Sequence, residues 1–360
     1  MKFAVVGCGK VALLSHIPAL KEFEKHGLVE LVAVADVKEE VAKRTAKMFD
    51  IPAYYTNSEE LAKRADLDAV SICTPSMTHA DLCILFARAG KHVLVEKPMC
   101  HTYEEALAIK DAVEETGVTF SVVQNFRCER TVQEAKERIM AGHLGRILYI
   151  HGVFNGPFPI VWSRSLWYYQ PGGVIHDRGP HIVDLVLWLK GIKGPEDIRS
   201  VQAAGGDMLG QAGFANHACA FIEFSDGSSA TSMVSWLIGG EEMMVKLYGT
   251  GGMLLLDILN GLCMEIRGGM NPFALVKRYY KVLKIAVADI IRRSYPHVQL
   301  AKLHREFIRR FIMALEGHCR PPVELGEALA TMLVIDEMVK QTISQEGRLQ
   351  VKQRTNEAGL

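Results

Sequence analysis

The sequence lacks an excess of charge of either sign. Its 360 residues carry 41 lysines and arginines against 41 aspartates and glutamates. That balance argues against a nucleic-acid binder and favours a small-molecule ligand. Cysteine is sparse and unpatterned: the eight residues at 8, 73, 83, 100, 128, 219, 263 and 319 form no CxxC pair and show no metal-ligand spacing. They read as reduced thiols of a cytoplasmic protein, and no metal is expected. Long apolar runs are missing too, since Gly or charge interrupts each one well short of the ~20 residues a spanning helix needs. No secretory signal is expected, because a strand-like run begins at Lys2. Internal repeats and low-complexity stretches are likewise absent. What remains is a soluble chain, 49% hydrophobic, long enough for two packed domains at roughly 150 residues each.

Residues 1–123 alternate short β-branched runs with helical stretches. Lys2–Val6, Val29–Ala35, Ala69–Cys73, His92–Val95 and Thr119–Val123 are the runs, suited to strands buried on both faces. Repeated βα alternation predicts a doubly wound parallel sheet, a Rossmann domain. After Gln124 the pattern changes. A helix at 131–141, a strand at 146–154 and a helix from about Gly179 to Lys190 lead into consecutive strands between Ile198 and Ile266. This predicts an α+β domain over 124–346, with an open, mostly antiparallel sheet, closed by helices at 304–316 and 326–346. Residues 347–360 read as a polar tail.

Gly7-Cys8-Gly9-Lys10-Val11-Ala12 follows the first strand and opens a helix, the context a dinucleotide turn requires. Gly7 permits the tight turn, Gly9 lets backbone approach a pyrophosphate, and small Ala12 allows close helix–strand packing. Asp36 ends the next strand ~20 residues on, where a carboxylate accepts ribose hydroxyls and repels a 2′-phosphate. NAD is therefore expected, with NADP the alternative that Lys10 and Lys38 leave open. A helix-capping role for Asp36 is the competing reading. Thr74-Pro75 ends a third strand and lines the cofactor crevice, and Glu96-Lys97-Pro98 ends the fourth. A lysine there sits where such sheets place ligands. His79, opening the next helix, reads as a cap or packing histidine.

A second constellation lies at 172–184: Asp177 and His181, one helical turn apart if the helix starts by Asp177, and Asp184. Oxidising a secondary alcohol needs a base for the hydroxyl proton and a cationic donor for developing oxyanion charge. His181 fits the acid/base, because imidazole titrates near working pH. Asp177 fits an orienting group or a substrate contact, and Lys97 the polarising donor.

In their order and spacing, the glycine turn, Thr74-Pro75, Glu96-Lys97-Pro98 and the Gly172–Asp184 block resemble the Gfo/Idh/MocA (glucose–fructose oxidoreductase/inositol dehydrogenase) family over nearly the whole chain. The resemblance implies NAD(P)-linked oxidation of a sugar, cyclitol or nucleotide-linked sugar, with Lys97, Asp177 and His181 catalytic and Glu96 supporting the lysine. It also implies a homodimer or homotetramer built on the outer sheet face. Two positions depart from the family's usual form: Pro171-Gly172-Gly173 replaces three glycines, and His176 replaces an apolar residue. Gln124-Asn125-Phe126-Arg127 resembles a segment near the nicotinamide, so Arg127 is a candidate for cofactor or substrate contact, with an ion pair as the alternative.

The aromatic residues Phe154, Phe158, Trp162, Trp167, Tyr168 and Tyr169 could stack on a sugar ring or form core. Trp162 is the substrate-contact candidate among them. Residues 277–293 match no part of the family and read as a basic amphipathic helix, packing internally or touching an anionic membrane surface or a nucleotide-sugar diphosphate. Two other functions use the same parts: a glycosidase or lyase that oxidises transiently with retained NAD, and a non-catalytic NAD-binding sensor.

Overall fold

The structure is a computed structural model describing residues 1–158, 172–210, 213–267 and 296–357. Trp162, Trp167, Tyr168, Tyr169 and the basic segment 277–293 lie outside the described residues. Cα packing divides the chain into two units, Met1–Cys128 with Ser294–Met332, and Glu129–Arg293 with Leu333–Leu360. The C-terminal stretch Ser294–Met332 packs with the first unit. The cause is apolar: Phe307, Ile308, Phe311 and Ile312 of the helix Pro296–Leu315 are buried, and that helix packs beside the first helical turns of the chain. Periodicity shows that a helix has an apolar face but not which core receives it.

In the first unit, strands β1 (Lys2–Val6), β2 (Glu30–Ala35), β3 (Ala53–Tyr55), β4 (Ala69–Ile72), β5 (His92–Val95) and β6 (Phe120–Val122) form one parallel sheet. Their spatial order is β3-β2-β1-β4-β5-β6. The order reverses between β1 and β4, and ligands bind in the crevice outside the carboxyl ends of strands at such a switch point. The expected strands are present within a residue or so at each end. The edge strand β3 is an addition, too short and too exposed to carry a pattern of its own. Helices α1 (Ile17–Lys25), α2 (Glu39–Phe49), α3 (Ser58–Ala62), α4 (His79–Arg88) and α5 (Tyr103–Thr116) connect the strands. Helix α5 opens with a Thr102–Glu105 capping box and stops at Gly117, whose φ of +68° suits a residue without Cβ.

The second unit begins with α6 (Arg130–Met140) and β7 (Ile147–Pro157), followed by α7 (Gly173–Lys190). Strands β8 (Ile198–Gly206), β9 (His217–Phe224), β10 (Ser229–Ser235), β11 (Leu237–Gly249), β12 (Gly252–Asp257) and β13 (Leu262–Ile266) complete a seven-stranded sheet of order β13-β12-β11-β7-β10-β9-β8. Only the β7–β10 pair is parallel; the others are antiparallel. Helix α7 covers one face. At Gly152 of β7 a Cβ would come within 2.6 Å of Val186 Cγ2 and 3.0 Å of Ile182 Cγ1, so the missing side chain is what lets the helix seat on the strand.

Helix α7 starts at Gly173 rather than near Gly179, and runs through Pro180. Proline costs the helix a backbone bond, which the buried face of Ile182, Val183, Leu185, Val186 and Leu189 offsets. The last two helices are α8 (Pro296–Leu315) and α9 (Leu325–Glu357). Helix α9 extends through 347–357, a stretch expected to be tail, because its Glu, Gln, Lys and Arg residues are good helix formers. Among the described residues no helix is long and apolar enough to cross a membrane.

Candidate active site

The nucleotide turn follows from β1 ending at Val6. Gly7 has φ +91°, and a Cβ there would lie 2.7–2.8 Å from the backbone of Cys73 and Thr74. Both facts demand glycine. At Gly9 the reason differs: the place a Cβ would take has no protein atom within 4 Å. The glycine there leaves room for something other than protein, and it adjoins a helix whose first bond runs from Leu13 N–H to Gly9 O. Amides of a first turn have no intrahelical acceptor and attract anions. A pyrophosphate fits this donor set. Exposed Lys10 and half-buried Val11 follow Gly9 in the turn, and the Cys73–Thr74 backbone just after β4 borders it at Gly7.

Asp36 makes the helix-start contact that the competing reading of this residue describes, and a second contact to the glycine turn. Its Oδ2 accepts the Cys8 amide at 3.0 Å and its Oδ1 the Lys38 amide at 2.9 Å. One carboxylate thereby ties the glycine turn to the start of α2, and it is half-buried at the strand end.

Lys97 ends β5, joined to Pro98 by a cis peptide bond. Beneath it lies a cluster that the sequence did not reveal. Buried Glu96 accepts from His16 Nε2 at 2.7 Å and from His304 Nε2 at 3.2 Å, both on Oε1. Its Oε2 accepts the Lys97 amide at 3.2 Å. His16 Nδ1 meets Ser71 Oγ at 2.7 Å and His304 Nδ1 meets Leu300 O at 2.9 Å. Burial alone would raise the Glu96 carboxyl, but the two imidazole bonds outweigh it and hold the group well below its ordinary range. Burial also keeps His16 below the usual imidazole range. In His304 the same burial is overcome by the bond and charge of Glu96, and its proton affinity rises. Since these residues come from three distant parts of the chain, no local spacing could have signalled them.

His79 is buried with Nδ1 2.7 Å from Pro98 O and Nε2 2.9 Å from Thr74 O. Two carbonyls favour a second proton, but burial with no carboxylate in contact prevails, and the ring stays below the ordinary range. It bridges the Thr74 and Pro98 turns, which is the packing role expected. Arg127 is buried too, its Nη1 donating to Glu327 Oε2 at 2.6 Å and to Pro322 O at 3.0 Å. The ion-pair alternative describes this placement, and the pair lies within the first unit. A guanidinium so enclosed braces the Asn125–Cys128 turn, and the ligand-contact reading of Arg127 gains nothing from it.

In the second unit, the early start of α7 puts Asp177, His181 and Asp184 on successive turns of one helix. Asp177 and His181 are half-buried, whereas Asp184 is buried. Arg178, absent from the sequence-based candidates, is buried and donates to the carbonyls of Gly156, Pro157 and Ser235. Its guanidinium lies 4.9 Å from the Phe154 ring centroid, and that ring stands 6.2 Å from the His181 ring. Phe154 thus packs between Arg178 and His181, while Phe158 joins Phe214 and Trp236 in an aromatic cluster.

Residues 1–124 match the family described as "Oxidoreductase family, NAD-binding Rossmann fold", and residues 132–255 match the "GFO/IDH/MocA C-terminal domain". Fold and turn together define a nicotinamide-dependent oxidoreductase. The chain belongs to the Gfo/Idh/MocA family. Among curated relatives, the scyllo-inositol 2-dehydrogenase (NAD(+)) of Bacillus subtilis is 28% identical over 272 residues, spanning 72% of this chain and 74% of that one. The WlbA dehydrogenase from Bordetella pertussis, solved with NADH and UDP-GlcNAcA, shares the fold at TM-score 0.78 and 22% identity, over 96% of each chain. GenD2 from gentamicin A biosynthesis, solved with NAD, has TM-score 0.74 and 25% identity over 95% of this chain and 94% of that one.

Proposed function

We propose that this protein oxidises a secondary hydroxyl of a sugar, a cyclitol or a nucleotide-linked sugar. The observation that carries this reading is Lys97, placed by β5 at the carboxyl edge of a sheet whose glycine turn is shaped for a dinucleotide. Bound NAD supplies the hydride acceptor. Lys97 donates to the reacting oxygen and stabilises the charge that develops as its proton leaves. His181 takes that proton, and Asp177 holds either His181 or a neighbouring hydroxyl. Asp36 favours NAD over NADP, since a carboxylate following the second strand would repel a 2′-phosphate. The inositol dehydrogenase relative and the nucleotide-sugar-bound neighbour support the substrate class from two sides.

Assembly as a homodimer or homotetramer is part of the proposal. One face of the second sheet presents half-buried and exposed side chains such as Tyr149, His151, Gln202, Phe221 and Thr231, and a sheet face of this kind is commonly covered by another copy. Cytoplasmic residence fits the unbridged thiols of Cys8, Cys73, Cys83, Cys128, Cys219 and Cys319.

The test is a panel of cyclitols, free sugars and nucleotide sugars with NAD and then NADP, followed by absorbance of reduced nicotinamide. A substrate whose turnover falls about 10²–10³-fold in Lys97→Ala supports the reading. A substrate turned over equally well by Lys97→Ala would overturn the role given to that residue.

A further inference from the structure

Buried Glu96 is the best-connected carboxylate near the cofactor turn. Its Oε1 takes two imidazole N–H groups and its Oε2 the amide of Lys97. Hydrogen-bond chemistry fixes the protons. A carboxylate only accepts, so His16 Nε2 and His304 Nε2 both donate. Ser71 can donate its hydroxyl to His16 Nδ1, which leaves His16 neutral and satisfied. His304 differs, because its Nδ1 faces the carbonyl of Leu300 at 2.9 Å, another pure acceptor. Asn125 Nδ2 also lies 3.3 Å from that nitrogen, a contact a neutral ring would accept. The shorter contact favours a proton on Nδ1, and direct contact with the Glu96 carboxylate, which His79 lacks, lets the ring keep it. His304 therefore carries both protons and neutralises Glu96 inside the fold.

We propose that His304, with His16, is a positioning residue for Lys97: the two rings fix one oxygen of Glu96 so that the other holds the Lys97 amide and sets the strand-end turn. This rests on the reading that Lys97 serves the cofactor and substrate. The charged or titratable groups facing Glu96 are His16 from the first helical turns, His304 from α8, Cys73 and His79 from the β4 end, and Lys97 itself. Of these, only His304 supplies a compensating charge by direct contact. When His304 loses its proton at alkaline pH, Glu96 keeps its charge and loses its counter-ion, and the turn loosens. A metal ion held by His16, Glu96 and His304 is the competing use of the same three side chains, whose ligand atoms lie within 4.8 Å of one another. Against it, His16 Nε2 and His304 Nε2 stand 2.7 and 3.2 Å from the same Glu96 oxygen, a spacing that fits N–H donors to a carboxylate.

The experiment follows NADH affinity by fluorescence, together with histidine ring ¹⁵N shifts, in the full-length wild-type protein from pH 6 to 10. One imidazolium signal should persist above the ordinary imidazole range, be lost in Glu96→Gln, and disappear over the same pH range in which NADH affinity falls. His304→Gln, which keeps a donor but not the charge, should weaken NADH binding about tenfold at pH 7 and remove the alkaline limb. His16→Gln, which keeps the neutral donor, should leave that limb in place. NADH affinity and ring shifts are read without turnover, so they separate this inference from the choice of substrate. Absence of a persistent imidazolium would overturn the proposal, as would an NADH limb unrelated to it. So would stoichiometric zinc in the purified protein that His304→Gln removes. If His304→Gln does not fold, the wild-type titrations decide alone.

Discussion

Arg127 Nη1 donates to Glu327 Oε2 at 2.6 Å, across 200 residues of sequence, with both side chains almost wholly excluded from solvent. The pair fastens the turn after β6 to the start of α9 inside one unit. Breaking a buried ion pair from one side leaves the other charge without compensation, at about 3–5 kcal/mol, whereas replacing both partners by apolar groups is often nearly neutral. Glu327→Ala should therefore lower thermal and urea stability by that amount, and Arg127→Met/Glu327→Leu should restore most of it. A loss under about 1 kcal/mol in the single variant would contradict the assignment.

The two glycines of the nucleotide turn should fail in different ways. Gly7→Ala meets backbone at 2.7–2.8 Å in a left-handed conformation, so both folding and NADH binding should suffer. Gly9→Ala meets no protein atom, so its melting temperature should match wild type while NADH affinity drops by about tenfold or more. Equal stability loss in both would mean that Gly9 serves the fold rather than the ligand. Calorimetric melts with NADH titration separate the cases.

Acid and alkali should act on the Glu96 cluster from opposite sides. His16 is depressed below its ordinary 6.5, so below that pH the unfolded chain binds a proton the fold refuses, and stability falls with pH. His304 is raised above 6.5, so its contribution is present in full below that value and is lost as pH rises through its folded pKa. Glu96 is depressed below 4.5, so its contribution is lost only as pH falls below the ordinary carboxyl range. Each proton difference changes stability by up to about 1.4 kcal/mol per pH unit. The cluster's contribution should therefore peak near pH 6.5. His16→Gln should flatten the acid arm relative to wild type, and His304→Gln the alkaline arm; melts at half-unit intervals check both.

The parts legible in the sequence were those written in local periodicity and short spacing. The strands β1, β2, β4, β5 and β6 show as β-branched runs, and Gly7, Gly9 and Asp36 as a spaced motif, because one turn and one crossover set their geometry. Helix α7 was expected to start too late. Gly172 and Gly173 look like loop, and burial of the helix, not propensity, decides that it begins there. His304 and Arg178 were illegible for another reason. Their partners are a carboxylate and strand-end carbonyls far away in the chain, and a lone His or Arg carries no mark of a distant acceptor. Helix α8 packs with the first unit for the same kind of reason, since an apolar stripe does not name the core that receives it.

The proposed function stands on net hydride transfer from a carbinol carbon to NAD, with side chains of this chain taking the proton. The most direct measurement uses the best substrate of the panel, deuterated at the reacting carbon, with mass analysis of the nicotinamide after one turnover. The expected result is one deuterium in the released reduced nicotinamide, a primary isotope effect on the chemical step, and loss of both in Lys97→Ala and His181→Ala. Deuterium retained in the product, with no reduced nicotinamide released, would contradict it and point to a closed redox cycle instead.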